Sequence, residues 1–229
     1  YFYYMYMSEY NYYYITIATK PHPILENIKK RVSDNKEQLY VLGTRENRPI
    51  GWNAYGNFGV KLREVHNFVN QPSLQENDII LFTDAYDVIY TGNQQTIIER
   101  FQKTNIPILF GSETECNPDP NMREKYENQD ELFPFLNSGM FIGRIWALRK
   151  CMQDYTFDDK HDDQRFWTQK FFQYPQLIGL DYKNELFLNT YGIDIEEIRW
   201  NRQESSFRGR NPQFIHVNGP DKRDLNNFI

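Results

Sequence analysis

The chain has 229 residues, of which 40% are hydrophobic and 17% aromatic, and its formal net charge is −5. That length and apolar content are enough to bury a sizeable core, and they fit one domain over residues 1–229 better than two. The negative charge argues against a nucleic-acid binder, which needs a basic face. No apolar run reaches the roughly 18 residues that a membrane span requires, so no membrane span is predicted.

The N-terminal run "YFYYMYMSEYNYYY" lacks the basic and apolar regions of a signal peptide. It fits the cut edge of a larger protein or an aromatic strand, and the sequence does not decide between them. The chain contains two cysteines, Cys116 and Cys151, which are too few for a disulfide framework. We therefore expect both to be buried free thiols.

Strand and helix patterns alternate through the first half of the chain. Runs of β-branched and aromatic residues predict strands over residues 13–18, 38–43, 78–84 and 106–111. Charged segments with helical spacing predict intervening helices over residues 24–32, 60–69 and 94–102. The alternation predicts an α/β fold with a Rossmann-like, mostly parallel central sheet that is doubly wound and flanked by helices.

The second half of the chain has a more mixed pattern. An apolar segment with a polar centre, residues 133–143, precedes a predicted helix over residues 145–154. Short strands are predicted near residues 185–189 and 213–219. No internal repeat or low-complexity linker interrupts the sequence, which again favours one domain.

The stretch "IILFTDAYDVIYTGN", residues 79–93, begins as a buried strand and then carries two carboxylates, Asp84 and Asp87. In open α/β sheets ligands bind beyond the carboxyl ends of the strands, which is where both aspartates lie. Carboxylates at this spacing can converge on one Mg²⁺ or Mn²⁺ ion, which prefers oxygen ligands and keeps positions open for phosphate oxygens. The alternative is a pair of surface carboxylates that cap a turn. Phosphoryl transfer to an aspartate is disfavoured, because Ala85 and Tyr86 intervene where that chemistry usually has one residue.

Three further segments follow this motif along the chain: "PFLNSGMFIG" at 134–143, "DDQRFWTQKFF" at 162–172 and "IHVNGPDK" at 215–222. Together with "LFTDAYDVIYTGN" they resemble, in order, segments of the glycosyltransferase domain of procollagen lysyl hydroxylases and related collagen glycosyltransferases. "ITIATK" at 15–20 and "VLG" at 41–43 are similar to the first two strands of that domain. The resemblance covers nearly the whole chain. It implies a GT-A type fold and metal-dependent transfer of a hexose from a UDP-sugar.

The resemblance assigns Asp84 and Asp87 to a metal site and matches His216 to the third protein ligand. Two carboxylates and a neutral imidazole suit Mn²⁺, with the phosphates of the UDP-sugar completing its coordination shell. A lone histidine on a terminal strand is more often structural, and that alternative stays open for His216. Mn²⁺ is thus the expected cofactor and a UDP-sugar the expected donor.

The resemblance also implies a set of residues that contact the donor. They lie at the end of the first strand, in the aspartate motif, in two polar segments and in the loop after the histidine: Thr19, Lys20, Asp84, Tyr86, Asn137, Ser138, Gly139, Gln164, Asn218, Gly219 and Lys222. The segment "LNSG" is expected to form a tight polar turn beside the sugar. Trp52, Tyr55 or Tyr86 could stack on the uracil. Glycine lets a backbone approach the diphosphate and lysine offsets its charge, although Gly219 also fits an ordinary turn.

The acidic segment "DDKHDDQ", residues 158–164, carries the predicted catalytic residues Asp162 and Asp163. By the resemblance these carboxylates contact hydroxyls of the donor sugar or the acceptor. A carboxylate near the anomeric carbon could stabilise positive charge or act as a base. The alternative is a helix N-terminus, where carboxylates interact favourably with the helix dipole.

The resulting prediction is a Mn²⁺-dependent hexosyltransferase that uses UDP-glucose or UDP-galactose. By the resemblance its acceptor is hydroxylysine or galactosyl-hydroxylysine in a collagen-like protein. The alternatives are a module of the same fold that binds nucleotide-sugar or collagen without turnover, a transferase with another glycan or protein acceptor, and a sugar-nucleotide hydrolase. Members of the family usually work in the endoplasmic reticulum lumen. No targeting segment is visible here, so a viral or host-cytoplasmic setting stays open.

Overall fold

A computed structural model of the chain describes residues 10–51 and 56–229. The interpretation of residues 1–9, and of Trp52 and Tyr55 as uracil-stacking rings, falls outside these residues. Within them, no helix is both long enough and apolar enough to cross a bilayer. Cys116 and Cys151 are buried free thiols, as predicted.

The described residues contain eleven strands: β1 (Tyr12–Ile17), β2 (Leu39–Leu42), β3 (Ile79–Asp84), β4 (Val88–Tyr90), β5 (Ile108–Glu113), β6 (Phe135–Arg144), β7 (Ile178–Leu180), β8 (Phe187–Asn189), β9 (Ile198–Trp200), β10 (Ser205–Phe207) and β11 (Phe214–His216). They also contain five α-helices: α1 (Pro23–Asp34), α2 (Gly59–Val69), α3 (Gln94–Thr104), α4 (Ile145–Cys151) and α5 (Asp163–Gln173). The alternation of strands and helices predicted for the first half of the chain is confirmed.

Local side-chain caps determine where the flanking helices begin and end. The ring of His22 accepts a hydrogen bond from the backbone N–H of Ile24 at the start of α1. Asn93 caps α3 by accepting from the N–H of Thr96. Asn105 ends α3 in the left-handed conformation, with φ of 55°. These residues set the start of α1 and both ends of α3.

The main sheet of the described residues has six strands in the order β2–β1–β3–β6–β5–β7. β1 is parallel to β2 and β3, and β5 is parallel to β7. β6 is antiparallel to both of its neighbours, β3 and β5. Five of these strands therefore run in one direction, which confirms the predicted mostly parallel sheet flanked by helices. The insertion of β6 between β3 and β5 was not predicted from the sequence.

The polar segment at residues 136–139 forms part of β6, so the prediction of a tight turn there is wrong. The pairing of β5 with β6 shifts register between Phe110 and Gly111, which pair with Phe141 and Asn137. Such an irregularity bends a strand and re-aims its side chains without ending it. The polar residues thus reach the site from within a strand.

Two apolar cores lie on opposite faces of the main sheet. On one face Phe141 packs on Phe82 and on Phe110, with ring centroids 5.1 and 4.9 Å apart respectively. The ring of Trp167, in α5, contacts both Phe110 and Phe141. Alternate residues of the same strands, such as Leu81, enter the second core. Both faces of the central strands are therefore buried.

A second sheet of β4, β11 and β8 covers the second core. β11 lies between the other two strands, antiparallel to β4 and parallel to β8. Tyr90 of β4 stacks on Phe214 of β11 with ring centroids 4.7 Å apart, and Tyr14 of β1 contacts both rings edge-on. This packing brings the end of β11 to the end of β3.

Asp181 fixes the connection between β7 and β8. Its side chain is buried and accepts hydrogen bonds from the backbone N–H groups of Glu185, Leu186 and Phe187 at 3.0, 2.7 and 2.9 Å. The three bonds determine where β8 begins, and β8 carries Asn189 at its end. Asp181 therefore acts on the candidate site through the position of a strand.

We expect Asp181→Ala to lower the free energy of unfolding by about 3 kcal/mol, because buried N–H groups left without an acceptor cost about 1–3 kcal/mol each. Urea denaturation measures this loss. Asp194→Ala is the matched control, since Asp194 is exposed and accepts from the N–H of Glu196 at 3.0 Å. A loss in Asp181→Ala no larger than in the control would contradict the role given to Asp181.

Candidate active site

Two aspartates and one histidine meet at the carboxyl end of β3. Asp84 is the last residue of β3, and Asp87 immediately precedes β4. The pairing of β11 with β4 sets His216 opposite Val88. His216 Nε2 is 3.3 Å from Asp87 Oδ1 and 4.0 Å from Asp84 Oδ2. One ligand atom of each residue lies within 4.8 Å of the others, so one cation can reach all three. Carboxylate oxygens with an imidazole nitrogen are a donor set that suits Mn²⁺ and similar ions.

The imidazole of His216 is oriented by Asn189. Its Nδ1 is 2.7 Å from Asn189 Oδ1, and the Asn189 amide nitrogen donates to the Ser112 carbonyl oxygen at 2.9 Å. Because the asparagine presents its oxygen to the ring, Nδ1 carries the hydrogen and donates. Nε2, which is directed at the aspartates, is then the ring nitrogen that can offer a lone pair to a cation. Ligating histidines are commonly held in this way by a partner on the other ring nitrogen.

Gly139 provides the space that the imidazole occupies. A Cβ added at Gly139 would lie 2.3 Å from Cε1 and 2.9 Å from Nδ1 of His216. No side chain fits at that distance, so only glycine allows β6 and the histidine to approach as they do. Gly139 therefore acts through the position of the imidazole rather than through a contact of its own.

Lys61 lies between two carboxylates of the site. It is the third residue of α2, it is buried, and its Nζ is 2.9 Å from both Asp84 Oδ1 and Asp163 Oδ2. Burial disfavours the charged ammonium, but Asp163 and Asp84 outweigh that effect and raise the pKa of Lys61 above its ordinary value. Lys61 is therefore a permanent positive charge between the predicted metal site and the start of α5.

The two aspartates differ in how their charge is balanced. Burial raises the pKa of Asp84, and Lys61 opposes that shift. Burial acts on Asp87 in the same direction, but His216 and Lys222 outweigh it and lower the pKa of Asp87 below its ordinary value. Lys222 Nζ is 2.7 Å from Asp87 Oδ2. Asp87 is therefore ionised at neutral pH and Lys222 lies next to it.

Glu113, at the end of β5, is a buried carboxylate surrounded by amides. It accepts hydrogen bonds from Asn137 Nδ2, Gln164 Nε2 and Asn218 Nδ2 at 3.1, 2.7 and 2.9 Å. Burial raises the pKa of Glu113 to about 7, although the amide donors and His216 oppose the shift. Glu113 thus holds together three of the side chains predicted to contact the donor.

The acidic segment divides into residues with different contacts. Asp163 is buried, and its Oδ2 accepts from the Ser138 hydroxyl at 2.9 Å as well as binding Lys61. Gln164 Oε1 accepts from the Ser138 N–H at 3.2 Å. Asp162 instead caps α5 by accepting from the Arg165 N–H at 2.9 Å, as the alternative interpretation of this segment expects. The structure therefore joins Asp163, but not Asp162, to the other candidate residues by these bonds.

Thr19, Lys20 and Tyr86 form one group at the end of β1. The hydroxyl oxygen of Tyr86 accepts from the backbone N–H groups of Thr19 and Lys20 at 2.8 and 3.2 Å. The Lys20 ammonium lies 5.7 Å from the centroid of the Tyr86 ring. Since Tyr86 lies between the two aspartates in sequence, the group adjoins the predicted metal site.

The loop after His216 has a structural role as well as a place beside the site. Asn218 Oδ1 accepts from the N–H of Tyr191 at 2.8 Å while its amide nitrogen binds Glu113. Gly219 has a φ of 84°, and an added Cβ would lie 2.6 Å from the Tyr191 ring. A glycine is required here by the backbone and by its neighbour.

Three residues of the site were not recognised from the sequence: Lys61, Glu113 and Asn189. Glu113 ends the apolar strand "ILFGSE", so the rule that found Asp84 at the end of β3 also applies to it. Lys61 and Asn189 carry no comparable signal, because a helical lysine and a strand-end asparagine are usually exposed.

Comparisons with known proteins agree with the resemblance. A family model described as "PLOD GT domain" matches residues 8–229. The chain belongs to that family. Procollagen-lysine,2-oxoglutarate 5-dioxygenase 1 of Bos taurus is 30% identical over 223 residues, which cover 93% of this chain and 30% of the relative. The PLOD GT domain described here thus spans less than a third of that relative's length.

Two further proteins are similar to this chain, one in sequence and one in structure. The multifunctional procollagen lysine hydroxylase and glycosyltransferase LH3 of Rattus norvegicus is 32% identical over 179 residues, which cover 73% of this chain and 24% of that protein. A crystal structure of a glycosyltransferase involved in glycosylation of the major capsid of PBCV-1 superposes with a TM-score of 0.48 at 13% identity, covering 95% of this chain and 97% of the other. The family match confirms that the chain is a glycosyltransferase-type domain.

We expect Gly139→Ala to weaken the binding of Mn²⁺ on the order of tenfold or more, because displacing the supports of a ligand typically costs that much affinity. Isothermal titration calorimetry on the metal-free protein measures the change. Gly143→Ala, in the same strand, is the control, since its added Cβ meets Ile108 Cγ1 at 3.1 Å rather than a ligand. Equal affinities in the two variants would contradict the role of Gly139.

Glu113 predicts a pH dependence of stability. Between its ordinary pKa of 4.5 and its folded pKa of about 7, the unfolded chain has released the proton while the folded chain retains it. The stability that Glu113 contributes is therefore present below pH 4.5 and lost as the pH rises through 7. The difference corresponds to about 3 kcal/mol. We expect the free energy of unfolding of the wild type, minus that of Glu113→Gln, to fall by about this amount from pH 4.5 to about 8 in urea denaturation. A difference that is flat or rises would contradict the shift.

Proposed function

We propose that this PLOD GT domain is a Mn²⁺-dependent hexosyltransferase that moves glucose or galactose from its UDP donor to hydroxylysine or galactosyl-hydroxylysine of a collagen-like protein. The observation that carries the proposal is the convergence of Asp84, Asp87 and the Nε2 atom of His216 at the carboxyl end of β3. A nucleotide-sugar transferase with a metal site needs such a set of ligands close to a place for a diphosphate. The family membership supports the same reaction class.

Asp84, Asp87 and His216 would hold the cation, whose chemistry is to neutralise charge that develops on a departing diphosphate. Two lysines of the chain add positive charge beside the proposed cation. Lys222, bound to Asp87 on the loop after β11, is placed to contact phosphate oxygens. Lys61 binds both Asp84 and Asp163 and balances part of their negative charge.

The polar side chains beside the cation site are suited to sugar hydroxyls. Asp163 and Gln164 present carboxylate and amide groups at the start of α5, and both bind Ser138 of β6. Glu113 positions the amides of Asn137, Gln164 and Asn218 without itself lying on the surface. Carboxylates and amides are the usual partners of hydroxyl groups in binding sites. We propose that this group holds the donor hexose.

The group of Thr19, Lys20 and Tyr86 is the proposed place of the uridine. It lies at the end of β1, which is adjacent to β3 in the sheet. The Tyr86 ring supplies an aromatic surface, and the backbone of Thr19 and Lys20 is already fixed by the Tyr86 hydroxyl. A nucleotide bound here would reach the aspartates with its phosphates.

The proposal is tested by measuring release of UDP from UDP-glucose and from UDP-galactose. Each donor is supplied with Mn²⁺ or EDTA, and with or without a collagen-like peptide that contains hydroxylysine or galactosyl-hydroxylysine. We expect release that needs Mn²⁺ and rises with one of the peptides. In the Asp84→Asn/Asp87→Asn variant it should fall below about 1% of the wild type, since losing a ligand's outer partner alone costs about 10–100-fold.

Glu26→Gln, which removes an exposed carboxylate of α1, is the control for the change in charge. Metal-dependent release that no peptide increases would indicate another acceptor or hydrolysis. Binding of UDP without release from either donor would indicate a module that binds without turnover. Release that persists in EDTA would contradict the metal site.

A further inference from the structure

Tyr191 presents an exposed aromatic ring two residues beyond β8. Its relative exposure is 41%, whereas most large apolar side chains of the described residues are buried. An exposed tyrosine on a loop is unremarkable by itself. Contacts with neighbouring residues, however, fix the position of Tyr191.

The backbone of Tyr191 is held from two sides. Its N–H donates to Asn218 Oδ1 and its carbonyl oxygen accepts from Thr114 Oγ1, both at 2.8 Å. The ring lies against Gly219, where an added Cβ would be 2.6 Å from Cδ2 and 3.1 Å from Cε2. Ordering a side chain on binding costs free energy. A ring already backed by a fixed loop avoids much of that cost.

The same contacts place Tyr191 at the edge of the candidate site. Asn218, which holds its N–H, also donates to Glu113 Oε2 at 2.9 Å. The preceding residue, Thr190, donates its N–H to the carbonyl oxygen of His216 at 3.0 Å. Tyr191 is thus connected to the predicted metal ligand and to the amide cluster within one or two hydrogen bonds.

Tyr191 lies on the opposite side of the site from the proposed uridine position. Thr19 and Tyr86 meet at the end of β1, whereas Thr114, which binds the Tyr191 carbonyl, directly follows β5. In the sheet order β3 and β6 separate β1 from β5. An acceptor has to reach the sugar from the side that the nucleotide does not fill. Tyr191 therefore lies on the side of the site that a nucleotide at the end of β1 would leave open.

We propose that Tyr191 is a platform for a sugar ring carried by the acceptor, an inference that rests on the proposed transferase function. The face of an aromatic ring packs on the apolar C–H face of a pyranose, and the phenol hydroxyl adds a polar tip. An acceptor that already carries a hexose gains this contact, and one without a sugar does not. Tyr191 thus makes the chain favour galactosyl-hydroxylysine over hydroxylysine.

The test compares two collagen-like peptides that differ in one galactose on the hydroxylysine, with the full chain, Mn²⁺ and the donor that the wild type uses. We expect Tyr191→Ala and Tyr191→Leu to raise the KM of the galactosylated peptide roughly three- to tenfold, the range that an aromatic contact accounts for. The KM of the unglycosylated peptide should not share this rise. Tyr191→Phe keeps the ring and should keep the preference.

Phe157→Ala is the matched control, because Phe157 is 59% exposed and its ring packs on His66 and Tyr155. An equal rise of KM for both peptides in the Tyr191 variants, or the same change of preference in Phe157→Ala, would overturn the inference. The inference would also be overturned if the wild type used only the unglycosylated peptide. These outcomes leave the transferase function standing. Absence of any metal-dependent turnover in the wild type would remove that function, and the inference with it.

Discussion

The candidate site depends on the compensation of negative charge in a buried place. Asp84, Asp163 and Glu113 are carboxylates at the ends of strands or at the start of a helix, and an isolated buried carboxylate costs several kcal/mol. Lys61 balances the first two from a single ammonium. Glu113 has no cation beside it among its described contacts, and its pKa rises accordingly. The acids of one site are thus accommodated in different ways, two of them by a lysine and the third by amide donors.

The architecture assembles this site from two sheets. The main sheet supplies Asp84, Glu113 and the polar segment of β6, all where strands end or change register. The small sheet supplies His216 and its partner Asn189 on paired positions of β11 and β8. Aromatic packing of Tyr14 against Tyr90 and Phe214 joins the two sheets. The position of the histidine therefore depends on the packing of core aromatic residues that are not themselves candidate ligands.

The two aspartates at the end of β3 could be predicted from the sequence, whereas residues that reach the site through packing could not. Asp84 and Asp87 follow a long apolar run, and the position of ligand sites in α/β sheets was enough to single them out. Lys61 lies in a charged helical pattern, and only the packing of α2 beside β3 and α5 makes it buried. His216 ends a short strand that the sequence predicts, but its match to a metal ligand came only through the resemblance.

The same limit applies to the fold. Alternating patterns predicted the elements of the first half, but the place of β6 and the extended form of its polar segment depend on pairing with distant strands, which overrides local preference.

The close packing of Gly139 against His216 has a consequence for how the two positions can evolve. While the imidazole is present, a mutation that adds a side chain at position 139 is disfavoured, because the added Cβ would lie 2.3 Å from His216 Cε1. A descendant that lost the histidine would be free to change at both positions. The residue at position 139 should therefore record, across relatives, whether the histidine was kept.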